Sequence, residues 1–112
     1  MYEQSAELNP ENVNLYVAMS TCYKRLGEID VAIEVLEDAL MVEPANAVVL
    51  YQLACNWSVA RRRGRALDFL SRALAQDWQL SAMLAAERDF DSIRSDPRFR
   101  SLCEIRSRSG AS

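Results

Sequence analysis

Histidine is absent from this chain of 112 residues. That removes the commonest general base, the commonest metal ligand and the centre of any Ser-His or Cys-His pair. The expectation is a chain that is not an enzyme, with no catalytic residue, no metal site and no cofactor. Cysteine is scarce: there are three, an odd number with no metal-like spacing. Cys22, Cys55 and Cys103 read as free, mostly buried thiols in a reducing compartment, not as a disulfide framework. Long apolar runs are also missing, so no segment is long enough to cross a bilayer. Glu3 and Glu7 interrupt the opening stretch, where a signal peptide would need an apolar run. A cytoplasmic location away from membranes is expected. Glycine and proline number three each, so the chain has few punctuation marks and those it has are informative.

Half of the residues are apolar and 26% are charged, which suits one small globular domain. The net charge is −3, unevenly spread. Residues 1–46 carry nine acidic and two basic side chains, and residues 47–80 carry two and five. An acidic balance argues against a nucleic-acid binder.

One interval organises what is present. Pro10 returns as Pro44, 34 residues on, and a pattern returns with it. Asn12 pairs with Asn46, Tyr16 with Leu50, Met19 with Leu53, Ser20 with Ala54 and Tyr23 with Trp57. Ala32 pairs with Ala66, Leu36 with Leu70 and Ala39 with Ala73. A fixed period of this length means stacked copies of one supersecondary unit.

Each unit reads as a pair of helices. Tyr16, Met19, Ser20 and Tyr23 share one face of a helix from Asn12 to about Arg25, with Asn12 as its cap. Gly27 breaks the chain. A second helix runs from about Glu28 to Val42, with Ala32, Leu36, Ala39 and Leu40 inward, and Pro44 forbids continuation. Asn46 then caps a helix to about Ala60, with Leu50, Leu53, Ala54 and Trp57 inward. A turn around residues 61–64 leads to a partner helix ending near Gln76, with Ala66, Leu70, Ala73 and Leu74 inward. Small residues at Ser20, Ala54, Ala32 and Ala66 allow the helices of a pair to approach closely. Trp78 sits where a third proline would fall. Asp96 with Pro97 is a sound helix start, and Phe99, Leu102 and Cys103 form its apolar face.

On these residues the chain resembles the tetratricopeptide repeat family over residues 13–80. The resemblance implies an all-α fold of antiparallel helix pairs stacked as a short right-handed superhelix, an α-solenoid. Residues 1–10 match the second-helix half of a truncated preceding repeat, through Tyr2, Ala6, Leu8 and Pro10. Units follow at 11–44 and 45–80, then a degenerate repeat with capping helices at 81–106 and a mobile tail at 107–112. The run from Asp89 to Leu102 resembles the terminal segment of many bacterial members. The early start suggests a fragment of a longer array, or Met1 as a true start with a capping helix. The departures from the family are Trp78 for proline, and a glycine that moves from Gly27 in the first turn to Gly64 in the second.

The family resemblance implies a protein-interaction scaffold whose first helices line a concave groove for a peptide or partner helix. Carried over by position, the groove would present Asn14, Val17, Ala18, Thr21 and Lys24, then Val48, Tyr51, Gln52, Cys55 and Ser58, then Ala82, Ala85 and Ala86. Tyr51 is the expected anchor, because aromatic residues dominate binding hot spots. The alternative is that Tyr51 and Val48 pack against the neighbouring unit. The clamp that some members use for acidic chaperone tails is not expected. Its positions hold Val17, Thr21, Gln52, Ala82 and Ala86, which offer no cation to a carboxylate.

Arg61, Arg62, Arg63 and Arg65, with Lys24 and Arg25 at the matching edge of the first unit, form an expected basic rim. It would suit an acidic or phosphorylated segment. The alternative is plain solvation, helped by cations near a helix C-terminus. Glu28, Asp30, Glu34, Glu37 and Asp38 read as a solvated acidic face with no third ligand for a metal. Two further readings are self-association, with a homo-oligomer held by open faces or opposite charges, and an accessory domain of a larger, even enzymatic, protein.

Overall fold

The computed structural model describes residues 12–104, with the Asn12 side chain left out. The expected half-repeat at 1–10, the tail at 107–112 and the capping role of Asn12 therefore lie outside the described residues. Among the described residues, five α-helices and two 3-10 helices follow in order. They are α1 (Asn12–Arg25), α2 (Ile29–Val42), α3 (Ala47–Val59), α4 (Arg63–Gln76), a first 3-10 helix (Trp78–Met83), a second (Arg88–Ile93) and α5 (Pro97–Cys103). There is no strand among the described residues. No described helix is long and apolar enough to cross a membrane.

The two expected helix pairs form. α1 packs on α2 and α3 on α4, each pair closed by a short turn, while α2 packs on α3 and α1 touches α3. Both turns have the same chemistry. The Gly27 N–H donates to Lys24 O and the Glu28 N–H to Tyr23 O. Thirty-four residues on, the Arg61 N–H donates to Ser58 O and the Arg62 N–H to Trp57 O. This double bond pattern ends a helix only when the residue in Gly27's place is left-handed. Gly27 has a φ of 85°, and Arg61 takes the same place with a φ of 67°.

The glycine expected to serve the second turn is therefore displaced. Gly64 lies inside the first turn of α4, and Arg61 adopts the conformation a glycine would take without strain. α3 ends two residues before Arg61, so the position that must reverse is set by the helix end and not by the nearest glycine.

Helix limits follow local signals elsewhere. Asn46 caps α3, its Oδ1 accepting the Val49 N–H at 3.0 Å. α2 stops at Val42, and its last bond is donated by the Glu43 N–H to Ala39 O, just before Pro44. The counterpart bond at the end of α4 is donated by the Asp77 N–H to Ala73 O.

The matched small residues lie in the core. Ala32, Ala39, Ala66 and Ala73 are wholly buried, as are Leu36 and Leu70. α3 is buried along most of its length and serves two clusters. Val49 and Leu53 join Val13, Tyr16, Ile33 and Leu36. Leu50, Tyr51, Ala54 and Cys55 join the buried face of α4 and the C-terminal residues Leu84, Phe90, Ile93 and Phe99. Each fully buried leucine contributes about 1.5–3 kcal/mol relative to an exposed one. Tyr23 and Trp57, the paired aromatics, are both half-buried.

Beyond Gln76 the pattern changes. Residues 78–93 form two 3-10 helices and turns, not a further α-helix. Each short element starts on an acidic cap. Asp77 accepts the Gln79 N–H, Glu87 the Asp89 N–H and Asp96 the Arg98 N–H. Glu87 and Arg88 stand where an α-helix would need apolar and small residues, so the segment folds by inserting Leu84, Phe90 and Ile93 one at a time.

Candidate functional site

The chain covers part of its own expected groove, at Tyr51, Cys55 and Ser58. Asn14 and Ala18 are exposed on α1, and Val17 and Thr21 are half-buried there. On α3, Val48 is 50% exposed and Gln52 is half-buried. Tyr51 and Cys55, by contrast, are buried at 3% and 2% exposure, and Ser58 is wholly buried. The second 3-10 helix lies over them. Phe90 meets the Tyr51 ring edge-on, with centroids 5.6 Å apart, and Phe99 packs behind at 5.5 Å. Tyr51 and Cys55 thus face the interior, because the C-terminal segment packs on the side of α3 where a partner was expected. Ala82, in the first 3-10 helix, and Ala85 and Ala86, in the turn after it, are exposed but do not extend the α-helical face.

The covering segment is tied down by polar contacts. The Ser58 hydroxyl donates to the Asp89 carbonyl at 2.5 Å, and the Ser92 hydroxyl donates to the Ser58 carbonyl at 3.0 Å. The Lys24 ammonium donates to the Asp89 carboxylate at 2.5 Å. Lys24 is therefore drawn inward from the expected basic rim to hold this segment. Cys55, Glu87 and Asp89 gather here, with ligand-type atoms within 4.8 Å of one another. Burial first, and then the Glu87 and Asp89 carboxylates, push the Cys55 thiol well above its ordinary range. Burial first, and then Cys55, Glu87 and Asp89, raise Tyr51, whose hydroxyl has no hydrogen-bond partner among the described residues. The Asp89 carboxylate of this cluster is the one paired with Lys24.

Sequence reasoning missed Arg94. Its guanidinium donates to the carbonyls of Leu84, Ala85 and Glu87 and to the Asp91 carboxylate, and it lies 5.7 Å from the Phe99 ring centroid. One side chain so satisfies three carbonyls of a turn that no helix closes. The available signal was an arginine beside the Asp96-Pro97 helix start, which does not reveal which carbonyls it will reach.

The arginine run stays outside. Arg61, Arg62, Arg63 and Arg65 are exposed and, with Gly64, Ser92 and Ile93, line an open depression of about 550 Å³. Arg63 faces the Asp96 carboxylate at 3.4 Å, and the Arg65 guanidinium lies 5.0 Å from the Trp57 ring centroid. Arg25 is exposed at the end of α1. The three cysteines are free, but Cys22 is exposed, because it lies on the solvent side of α1. The expected mostly buried state holds for Cys55 alone, and Cys103 is half-buried.

No protein-family model matches this chain. A stretch of 41 residues is 39% identical to anaphase-promoting complex subunit 3 of Dictyostelium discoideum. The match covers 37% of this chain and 4% of that protein.

Proposed function

We propose that this chain is a non-catalytic protein-interaction domain of tetratricopeptide type. Its two hairpins stand as consecutive units of a right-handed superhelix, and an extended peptide or partner helix lies along the face shared by α1 and α3. One observation carries the reading. At the matched small, leucine and turn positions, a residue and its counterpart 34 positions on share their burial, their left-handed turn torsion or their turn hydrogen bonds, as Ala32 and Ala66, Leu36 and Leu70, or Gly27 and Arg61, illustrate. A unit that repeats its geometry can stack and display a continuous surface. The short likeness to a protein named as the subunit of a complex points the same way. Three free thiols suit a reducing compartment such as the cytoplasm.

The docking face comprises Asn14, Val17, Ala18, Thr21, Val48 and Gln52, which remain at least partly open. Tyr51 and Cys55 support it from beneath. An array of immobilised peptides probed with the labelled chain tests this. Val48→Glu should abolish binding of peptides the parent retains, with helix content unchanged by circular dichroism. If Val48→Glu and Gln52→Glu chains capture the same peptides as the parent, the face is not the docking surface.

Opposite charges favour self-association as a second reading. Glu34, Glu37 and Asp38 are exposed on α2, while the arginine run is exposed at the start of α4. Sedimentation that is independent of concentration at low salt would remove it.

A further inference from the structure

The arginine run would be an ordinary solvated turn if it lay at a helix C-terminus, where cations complement the helix dipole. Only Arg61 has that position, just past the end of α3. Arg62 is the N-terminal cap of α4 and makes no capping bond through its side chain, and Arg63 and Arg65 lie in the first turn. That turn holds no acidic residue. Cations there oppose the positive end of the dipole and repel one another. Local rules broken without an internal gain are expected at functional sites.

The four side chains are arranged unequally. Arg63 is steadied by Asp96 and Arg65 by stacking on Trp57. Arg61 and Arg62 have no anionic partner among the described residues. All four border one depression with Ile93 in its wall. The adjoining depression shares Arg61 and Ser92 but includes Asp89 and Asp91, so its field is mixed. The positive field is thus confined to a space that suits one or two side chains, not a long polyanion. Trp57, the nearest large aromatic, is half-buried and already carries Arg65, so no free ring offers a platform for a nucleobase.

We infer that this depression receives an oxyanion of a partner protein's peptide, a phosphate ester or clustered carboxylates, with Arg61 and Arg62 as the pairing groups. Guanidinium forks match both oxyanions in two-point geometry. The inference rests on the protein-interaction reading and names the chemistry of the segment that docks beside the α1–α3 face.

Fluorescence anisotropy with the whole chain tests it. The probes are a labelled Gly-Ser peptide with a central phosphoserine, the same peptide with a Glu-Glu pair there, the unmodified peptide, and single-stranded RNA of equal length. The phosphorylated or the Glu-Glu probe should bind about tenfold or more tighter than the unmodified peptide, from one or two charge-assisted pairs. Whichever of the two binds tighter identifies the oxyanion. Arg61→Gly combined with Arg62→Glu should erase that difference, while Arg72→Glu, elsewhere on α4, should keep it. Arg61→Gly relieves a left-handed backbone, so a loss cannot be blamed on unfolding, and a thermal melt checks this. Equal binding of all peptides overturns the inference, as does tighter binding of RNA or an equal loss in Arg72→Glu. If Val48→Glu abolishes array binding while the anionic probes show no preference, the docking face stands and this site alone falls.

Discussion

Arg61 holds a φ of 67° at the place where the first unit has Gly27. A side chain in this region costs roughly 1–2 kcal/mol, which glycine avoids at some entropic cost in the unfolded chain. Arg61→Gly should therefore raise stability by about 0.5–1 kcal/mol, a rise of a few degrees in a thermal melt. Gly27→Ala should lower it by about the same or more. Gly64→Ala should be neutral or stabilising, since Gly64 is helical and a Cβ there meets open space. A melt in which Gly64→Ala is the damaging change would refute this account of the second turn. Ala66 is wholly buried where α3 and α4 approach. Ala66→Leu should cost roughly 1–3 kcal/mol in urea unfolding, because the site has no spare volume. Cys55 adds a pH dependence. Its folded thiol titrates far above the ordinary value near 9, chiefly through burial. Above that pH the unfolded chain releases a proton the native chain keeps, so stability present at lower pH falls as pH rises. Tyr51 acts with the same sign from about pH 10 upward. The slope above pH 9 should flatten in Cys55→Ala, as measured by denaturant unfolding at stepped pH.

The four long helices were legible because their signals are local. Apolar spacing, Asn46, Gly27 and Pro44 act within one turn of chain, and the observed limits fall within a residue or two of those signals. The stretch after Gln76 was not legible in the same way. Leu84, Phe90 and Ile93 are buried as apolar residues should be, but their order fits neither helical nor strand period. Beside the ties from Ser58 and Lys24, that stretch is held by Arg94, reaching back 7–10 residues to carbonyls. Arg94→Met keeps the length and removes the donors. It should cost about 1.5–3 kcal/mol, the range for hydrogen bonds to a charged group. Hydrogen exchange should then speed up in residues 84–96 first, with α1 and α2 nearly unchanged. Uniform acceleration across all helices would show that Arg94 has no local role.

At the scale of the whole molecule, the burial of Tyr51, Cys55 and Ser58 beneath the C-terminal segment is the main result. Phe90, Ile93 and Phe99 close the cluster built on α3 and α4, as a cap closes the last unit of a stack. Ending the chain after Gln76 would leave Tyr51, Cys55, Leu74 and Leu70 with water on one side. Such a chain should melt earlier and less sharply, and should bind a hydrophobic dye that the parent excludes. Retention of a sharp parental melt would mean the C-terminal segment only rests on the surface.

Periodicity in the sequence was enough to determine the helical pairs and the inward place of Ala32, Leu36, Leu50, Leu53, Ala66 and Leu70, because each depends on residues a few positions apart. Whether Tyr51 greets a visitor or Phe90 was a different kind of question. Both outcomes bury the same ring, and only the path of a segment some forty residues downstream chooses between them. The arginines are the converse case. Their run is plain in the sequence, but the end of α4 on which they stand, and hence the sign of their helix-dipole energy, was set by where the second turn closed.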